Sequence, residues 1–117
     1  MQVVRIYTGD DGESHFEELD LPYEQMEASE RTAVQNAENI HFRRYQPGSF
    51  IDWHPTPRRQ FIITLSGPGY EVETSDGSVA QLPPGSVLLL EDTDSTCRGH
   101  RARALGDETL VMFVPIN

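Results

Sequence analysis

The chain has 117 residues, 37% of them hydrophobic and 24% charged, with 9 Gly and 8 Pro; this is the size of one folded domain with its own core, too small for a catalytic domain plus a separate cofactor domain. Nine basic against 19 acidic side chains give a formal charge of -10, a field that repels phosphate backbones and anionic lipid and so argues against nucleic-acid and membrane-surface partners. A single cysteine, Cys97, leaves no intrachain disulfide and no cysteine-rich zinc site, and with no long apolar run and a polar, charged start after Met1 the expected location is the cytoplasm.

Short strands broken by turn signals fill the chain. Val3 to Tyr7 is β-branched and stops at Gly9-Asp10-Asp11-Gly12. A second strand is predicted over Ser14–Leu21, with His15 on its surface. Residues 22–34 show no apolar face and are predicted as loop. From Asn39 the signals recur about every ten residues. Ile40–Tyr45 ends at Pro47-Gly48, Phe50–His54 at Pro55-Thr56-Pro57, and Gln60–Leu65 at Gly67-Pro68-Gly69. Tyr70–Thr74 ends at Asp76-Gly77 and Val79–Leu82 at Pro83-Pro84-Gly85; Val87–Leu90, His100–Leu105 and Leu110–Val114 follow. No helical period competes, so the fold class is all-β, a sandwich or barrel. The predicted organisation is one domain over 1–117, with the barrel core in about 36–117 and additional N-terminal strands in 1–35.

Strand parity selects the inward polar groups. Gln60, Ile62 and Thr64 share one face of a strand that is apolar on both sides. His100, Ala102 and Ala104 share a face opposite Arg101 and Arg103, which places the histidine inward beside small residues. A core histidine satisfied by backbone carbonyls is the competing reading of that strand. His54 closes a strand at a proline-constrained turn, and if Phe50–His54 and Gln60–Leu65 form a hairpin, His54 and Gln60 converge. His41 shares a face with Arg43 and Tyr45. Asp92-Thr93-Asp94-Ser95 reads as a solvated turn, and Trp53, Tyr70 and Phe50 as core.

Gly48, five residues, His54, one residue, Thr56, three residues, Gln60, six residues, Gly67 resembles the first motif of the cupins, in which two histidines and a glutamate lie between the outer glycines. His54 falls on the first histidine, Thr56 on the second and Gln60 on the glutamate. Gly77, five residues, Pro83, one residue, Gly85, two residues, Leu88 is similar to the second motif, with Leu88 where the last metal-binding histidine would stand. The resemblance implies a cupin-type double-stranded β-helix, or jelly-roll barrel, with extra N-terminal strands. It also implies a homodimer built through those strands.

Two functions follow from the resemblance. The first is an enzyme with one divalent transition metal (zinc, nickel or iron) on a rearranged set of His54, Gln60, His100 and His41. Its substrate would be a small organic carbonyl or aromatic molecule, and its chemistry that of a lyase, isomerase, cyclase or dioxygenase, similar to small polyketide-cyclase cupins. Imidazoles and an amide suit such metals better than magnesium or calcium. Arg59, Thr56, Ile62, Leu88 and Met112 are then candidate substrate contacts, Arg59 for a carboxylate. The second is a non-catalytic binding or sensor barrel, with Leu88, Leu90, Ile62 and Met112 lining an apolar pocket.

Overall fold

Alternation of apolar and polar residues becomes strand almost everywhere: the computed structural model, which describes residues 1–117, contains twelve strands. These are β1 (Gln2–Thr8), β2 (Ser14–Asp20), β3 (Glu24–Met26), β4 (Ser29–Arg31), β5 (His41–Tyr45) and β6 (Phe50–His54). They continue with β7 (Gln60–Ser66), β8 (Tyr70–Thr74), β9 (Val79–Leu82), β10 (Val87–Glu91), β11 (His100–Ala104) and β12 (Thr109–Pro115). No helix is long and apolar enough to cross a membrane. A six-stranded sheet in the order β2-β1-β10-β7-β12-β5 faces a four-stranded sheet in the order β6-β11-β8-β9. Pairing is antiparallel throughout, except that β1 runs parallel to β10 with Val4 opposite Leu88.

The core lies where the two sheets meet. Ile6, Ile62, Leu88, Leu90, Val111 and Phe113 come from the larger sheet and Tyr70, Val72 and Leu82 from the smaller. Burying each large apolar side chain contributes roughly 1.5–3 kcal/mol. Strand β8 shows the rule cleanly: Tyr70, Val72 and Thr74 are buried, while Glu71 and Glu73 point out and accept hydrogen bonds from Arg103 and Arg101 on β11. The outer face of the six-stranded sheet is also apolar, with Val3, Leu89 and Ile116 buried there beneath Phe61, Val87 and Val114.

Several expectations change. Residues 22–34 are not all loop: β3 and β4 pair as a small exposed hairpin. Strands β6 and β7 do not form a hairpin either, since each pairs within a different sheet. Phe50 is exposed rather than core. Strand β1 pairs with β10 within the chain, and β2 is an edge of the six-stranded sheet. In β12 the buried residues are Thr109, Val111, Phe113 and Pro115, so Met112 has the opposite parity and turns away from the interior, opposite Ile63. Both faces of β12 are apolar, and alternation alone cannot say which is inside.

His15 fastens β2 to the turn after β8, with Nε2 2.9 Å from Asp11 Oδ1 and Nδ1 3.0 Å from Asp76 Oδ2. The hydrogen bond to Asp11, reinforced by the charges of Asp11 and Asp76, raises the imidazole above its ordinary value of 6.5. A group whose folded pKa is raised adds stability below its unfolded pKa and loses it as pH climbs through the folded value. Thermal unfolding of wild type and His15→Asn should therefore differ most at about pH 6 and converge by about pH 9. A difference that is independent of pH would assign His15 a packing role only.

Candidate active site

A defect in strand pairing aims the first histidine. On β11, His100 sits opposite His54 and Ala102 opposite Ile51. Three steps along β6 thus match two along β11, so β6 carries one extra residue, a β-bulge. In an unbroken strand Ile51 and His54 would face opposite ways; with the bulge both line the same cavity. Gly99 makes the close approach possible. Its φ is +78°, and a Cβ there would lie 1.9 Å from the His54 carbonyl oxygen, so β11 begins with its backbone packed directly on the His54–Pro55 peptide.

The two imidazoles are each anchored through Nδ1. His54 Nδ1 donates to the Asp52 carbonyl at 2.8 Å, and His100 Nδ1 donates to Asp92 Oδ2 at 2.7 Å. The ring centroids are 4.6 Å apart with planes tilted by 58°, which leaves Nε2 as the unengaged nitrogen of each. Asp92 is completely buried. Its Oδ1 accepts from the Thr56 hydroxyl at 2.7 Å, and its carbonyl accepts from the Thr56 amide at 2.9 Å. One carboxylate thus ties the end of β10, the β6–β7 connection and the start of β11.

Both imidazoles line a cavity of about 230 Å³ shared with Thr56, Gln60, Ile62 and Leu88. Its walls are mainly apolar, from Ile62, Val72, Leu88, Leu90 and Phe113, with Arg43, Tyr45 and Tyr70 as further polar members. Burial pushes the Tyr45 hydroxyl up to about 12 and the Tyr70 hydroxyl well above its ordinary value; both are neutral donors at physiological pH. The buried Tyr70 hydroxyl makes no well-formed hydrogen bond; the Thr64 hydroxyl beside it offsets only part of the effect of burial and gives its own proton to the Leu82 carbonyl at 3.3 Å.

Three candidates fall elsewhere. His41 stacks on Phe113 at 5.1 Å and accepts from Arg43 Nε at 3.2 Å, so Phe113 and Arg43 hold it away from the other imidazoles. Arg59 is committed to Glu91 and to the Asn117 carbonyl and does not line the cavity. Met112 is on the outer face, as described. No group of three or more His, Cys, Asp or Glu side chains converges to hold a cation. The donors on offer to a metal are therefore two imidazoles and the Gln60 amide oxygen. They fit a borderline transition metal in kind, and each imidazole has the Nδ1 support that metal-binding histidines use.

Asp92 was hidden in an acidic turn. The signal that exposes it is parity: Leu88 and Leu90 point inward, and Asp92 continues that face one step beyond the strand. Arg43 and Tyr45 share a face of β5 and both line the cavity, Arg43 as an exposed side chain at its rim.

No protein-family model matches the chain, and no curated protein matches it. Solved structures do. A cupin domain from Bordetella pertussis Tohama I superposes with a TM-score of 0.51 at 16% identity, covering 72% of this chain and 92% of that one. A protein from Neisseria meningitidis does so with a TM-score of 0.51 at 17% identity, covering 76% and 90%. The barrel has the cupin fold.

Removing the buried carboxylate leaves Thr56 and His100 without their shared acceptor, so Asp92→Ala should lose about 2–4 kcal/mol in urea unfolding. A loss under about 1 kcal/mol would show that the three elements hold together without it.

Proposed function

We propose that this small cupin is an enzyme that holds one divalent transition metal (zinc, nickel or iron) on His54, His100 and Gln60. Its substrate is a small organic carbonyl or aromatic molecule, and its reaction a lyase, isomerase, cyclase or dioxygenase type. The observation that carries the reading is the paired anchoring of the two imidazoles, with Nδ1 of each bonded away and both rings in one cavity. When bound, the metal supplies Lewis-acid polarisation of a substrate oxygen, strengthened by the lack of a charged ligand in the set.

The remaining work belongs to the chain. Asp92 keeps the His100 proton on Nδ1, and the Asp52 carbonyl does the same for His54, so both Nε2 lone pairs are available as donors. Gln60 contributes its amide from β7, in the facing sheet. The aliphatic wall of Ile62, Leu88 and Leu90 takes the apolar body of the substrate and excludes water from it.

One observation favours a second reading, a non-catalytic binding barrel. Two of the positions that the cupin motifs give to histidine are Thr56, engaged with Asp92, and Leu88, part of the apolar wall. Elemental analysis of protein purified without an affinity tag separates the two. The enzyme reading expects stoichiometric metal in wild type, its loss in His54→Ala and His100→Ala, and about 10–100-fold weaker metal affinity in Asp92→Asn. Folded wild type that takes up no added zinc, nickel or iron would leave the binding barrel.

The proposed protein partner is a second copy of the chain, and beside the open edge of β2 the structure offers a second surface for it. The outer faces of β7 and β12 carry Phe61, Ile63, Leu65, Leu110, Met112 and Val114, without one charge, and Phe42 beside them is 60% exposed. An apolar face of this kind is self-complementary about a two-fold axis. Light scattering should give twice the 13.2 kDa chain mass, and Met112→Glu should shift it toward the monomer. A monomeric wild type would remove the proposal.

A further inference from the structure

Pairing of the basic side chains on this acidic chain is almost complete. Of its nine arginines, eight have a carboxylate partner. Arg5 binds Glu17 and Glu91, Arg31 binds Glu24, Arg44 binds Glu108, Arg58 binds Glu38 and Arg59 binds Glu91. Arg98, Arg101 and Arg103 pair with Glu13, Glu73 and Glu71. The ninth is Arg43, and it lines the cavity. Its guanidinium lies over the Phe113 ring, 4.0 Å from the centroid, and its Nε donates to His41. Stacking and that single bond fix the plane of the group and leave its terminal N–H donors for something else.

A second observation points to a polar occupant. The Tyr70 hydroxyl, on a side chain 2% exposed, lines the same cavity without a well-formed hydrogen bond. Buried polar groups are nearly always satisfied, and a poorly satisfied hydroxyl in the cavity that the unpaired guanidinium also lines asks for a ligand oxygen.

We infer that Arg43 is the anion-recognising residue of the cavity and that its ligand is a small monocarboxylate, the Tyr70 hydroxyl donating to an oxygen of the same molecule. The inference rests on the reading that this cavity is the ligand site. A carboxylate is favoured over a phosphate ester by shape: its two coplanar oxygens match the coplanar N–H donors of a guanidinium whose plane is fixed on Phe113, and it is the smaller, flatter group for an apolar cavity. The apolar wall accounts for the rest of the ligand, a flat or compact hydrocarbon body that a cavity of about 230 Å³ can hold. Arg43 takes the place that Arg59 was expected to fill, because Arg59 is spent on Glu91.

Isothermal titration with benzoate, benzamide and phenyl phosphate tests this directly, since the three share a ring and differ in charge. Wild type should bind benzoate at least about tenfold more tightly than benzamide, the worth of one charge-assisted hydrogen bond. Arg43→Ala should bring benzoate down to the benzamide level and leave benzamide unchanged, while Arg43→Lys restores part of the difference. Tyr70→Phe should weaken benzoate several-fold without lowering the melting temperature of the free protein. Equal binding of benzoate and benzamide, or benzoate binding indifferent to Arg43→Ala, would overturn the inference; tighter binding of phenyl phosphate than of benzoate would overturn the choice of carboxylate. Metal content measured on the same Arg43→Ala protein keeps the two proposals apart, because Arg43 is not among the proposed ligands and its loss should leave the metal in place.

Discussion

Everything distinctive about the cavity depends on one buried carboxylate. Asp92 has no arginine or lysine beside it. It is satisfied by a hydroxyl, an imidazole and, through its own carbonyl, a backbone amide. Taking a carboxylate out of water is costly, and only good hydrogen bonds in fixed positions offset that cost. The geometry of Thr56 and His100 is therefore not free to drift. Thr56 holds the turn that follows His54, and His100 begins the strand that pairs with it. The same three contacts that make Asp92 tolerable also set the distance between the two imidazoles. Stability and site geometry here are one problem with one solution, and Gly99 is part of it because a Cβ would push the two backbones apart.

Much of this was legible from residue parity. Phe50–His54, Tyr70–Thr74 and Val79–Leu82 are strands with the expected bounds. The inward turn of His100 follows from its charged alternates, since Arg101 and Arg103 had to be outside and are, on Glu73 and Glu71. Parity failed where its premise failed. The extra residue in β6 reverses the face of everything beyond it, and no local pattern in Phe50-Ile51-Asp52-Trp53-His54 announces a bulge. In β12 both faces are apolar, one for the core and one for the outer sheet surface, so Met112 and Phe113 looked equivalent. His41 had the right parity and the wrong neighbours: Arg43 and Phe113 on the same edge claim its ring. Which acid an arginine meets is long-range information as well, and Arg59 meets Glu91 across 32 residues of sequence.

The departures from the cupin motifs also form a coherent set. Leu88, where the resemblance places a histidine, is in β10 of the six-stranded sheet, and His100 is in β11 of the opposite one. With the imidazole supplied from β11, both histidines come from neighbouring strands of the smaller sheet and face Gln60 on the larger. The vacated wall becomes continuous aliphatic surface through Ile62, Leu88 and Leu90. Thr56, at a position where the motif has a histidine, holds Asp92, which in turn orients His100. Taken together, His54 and His100 lie on the smaller sheet, and Gln60 lies beside the aliphatic wall on the larger.

Electrostatics then decides what such a ligand can be. The chain carries a formal charge of -10, and Arg43 is the one arginine without a carboxylate partner and lines the cavity. A neutral molecule would enter without resistance but would leave Arg43 and the Tyr70 hydroxyl unmatched. A monoanion satisfies the one unpaired cation and adds the least to the net charge. The same reasoning explains why the other eight arginines carry no such role: each is already paired with a carboxylate where it stands.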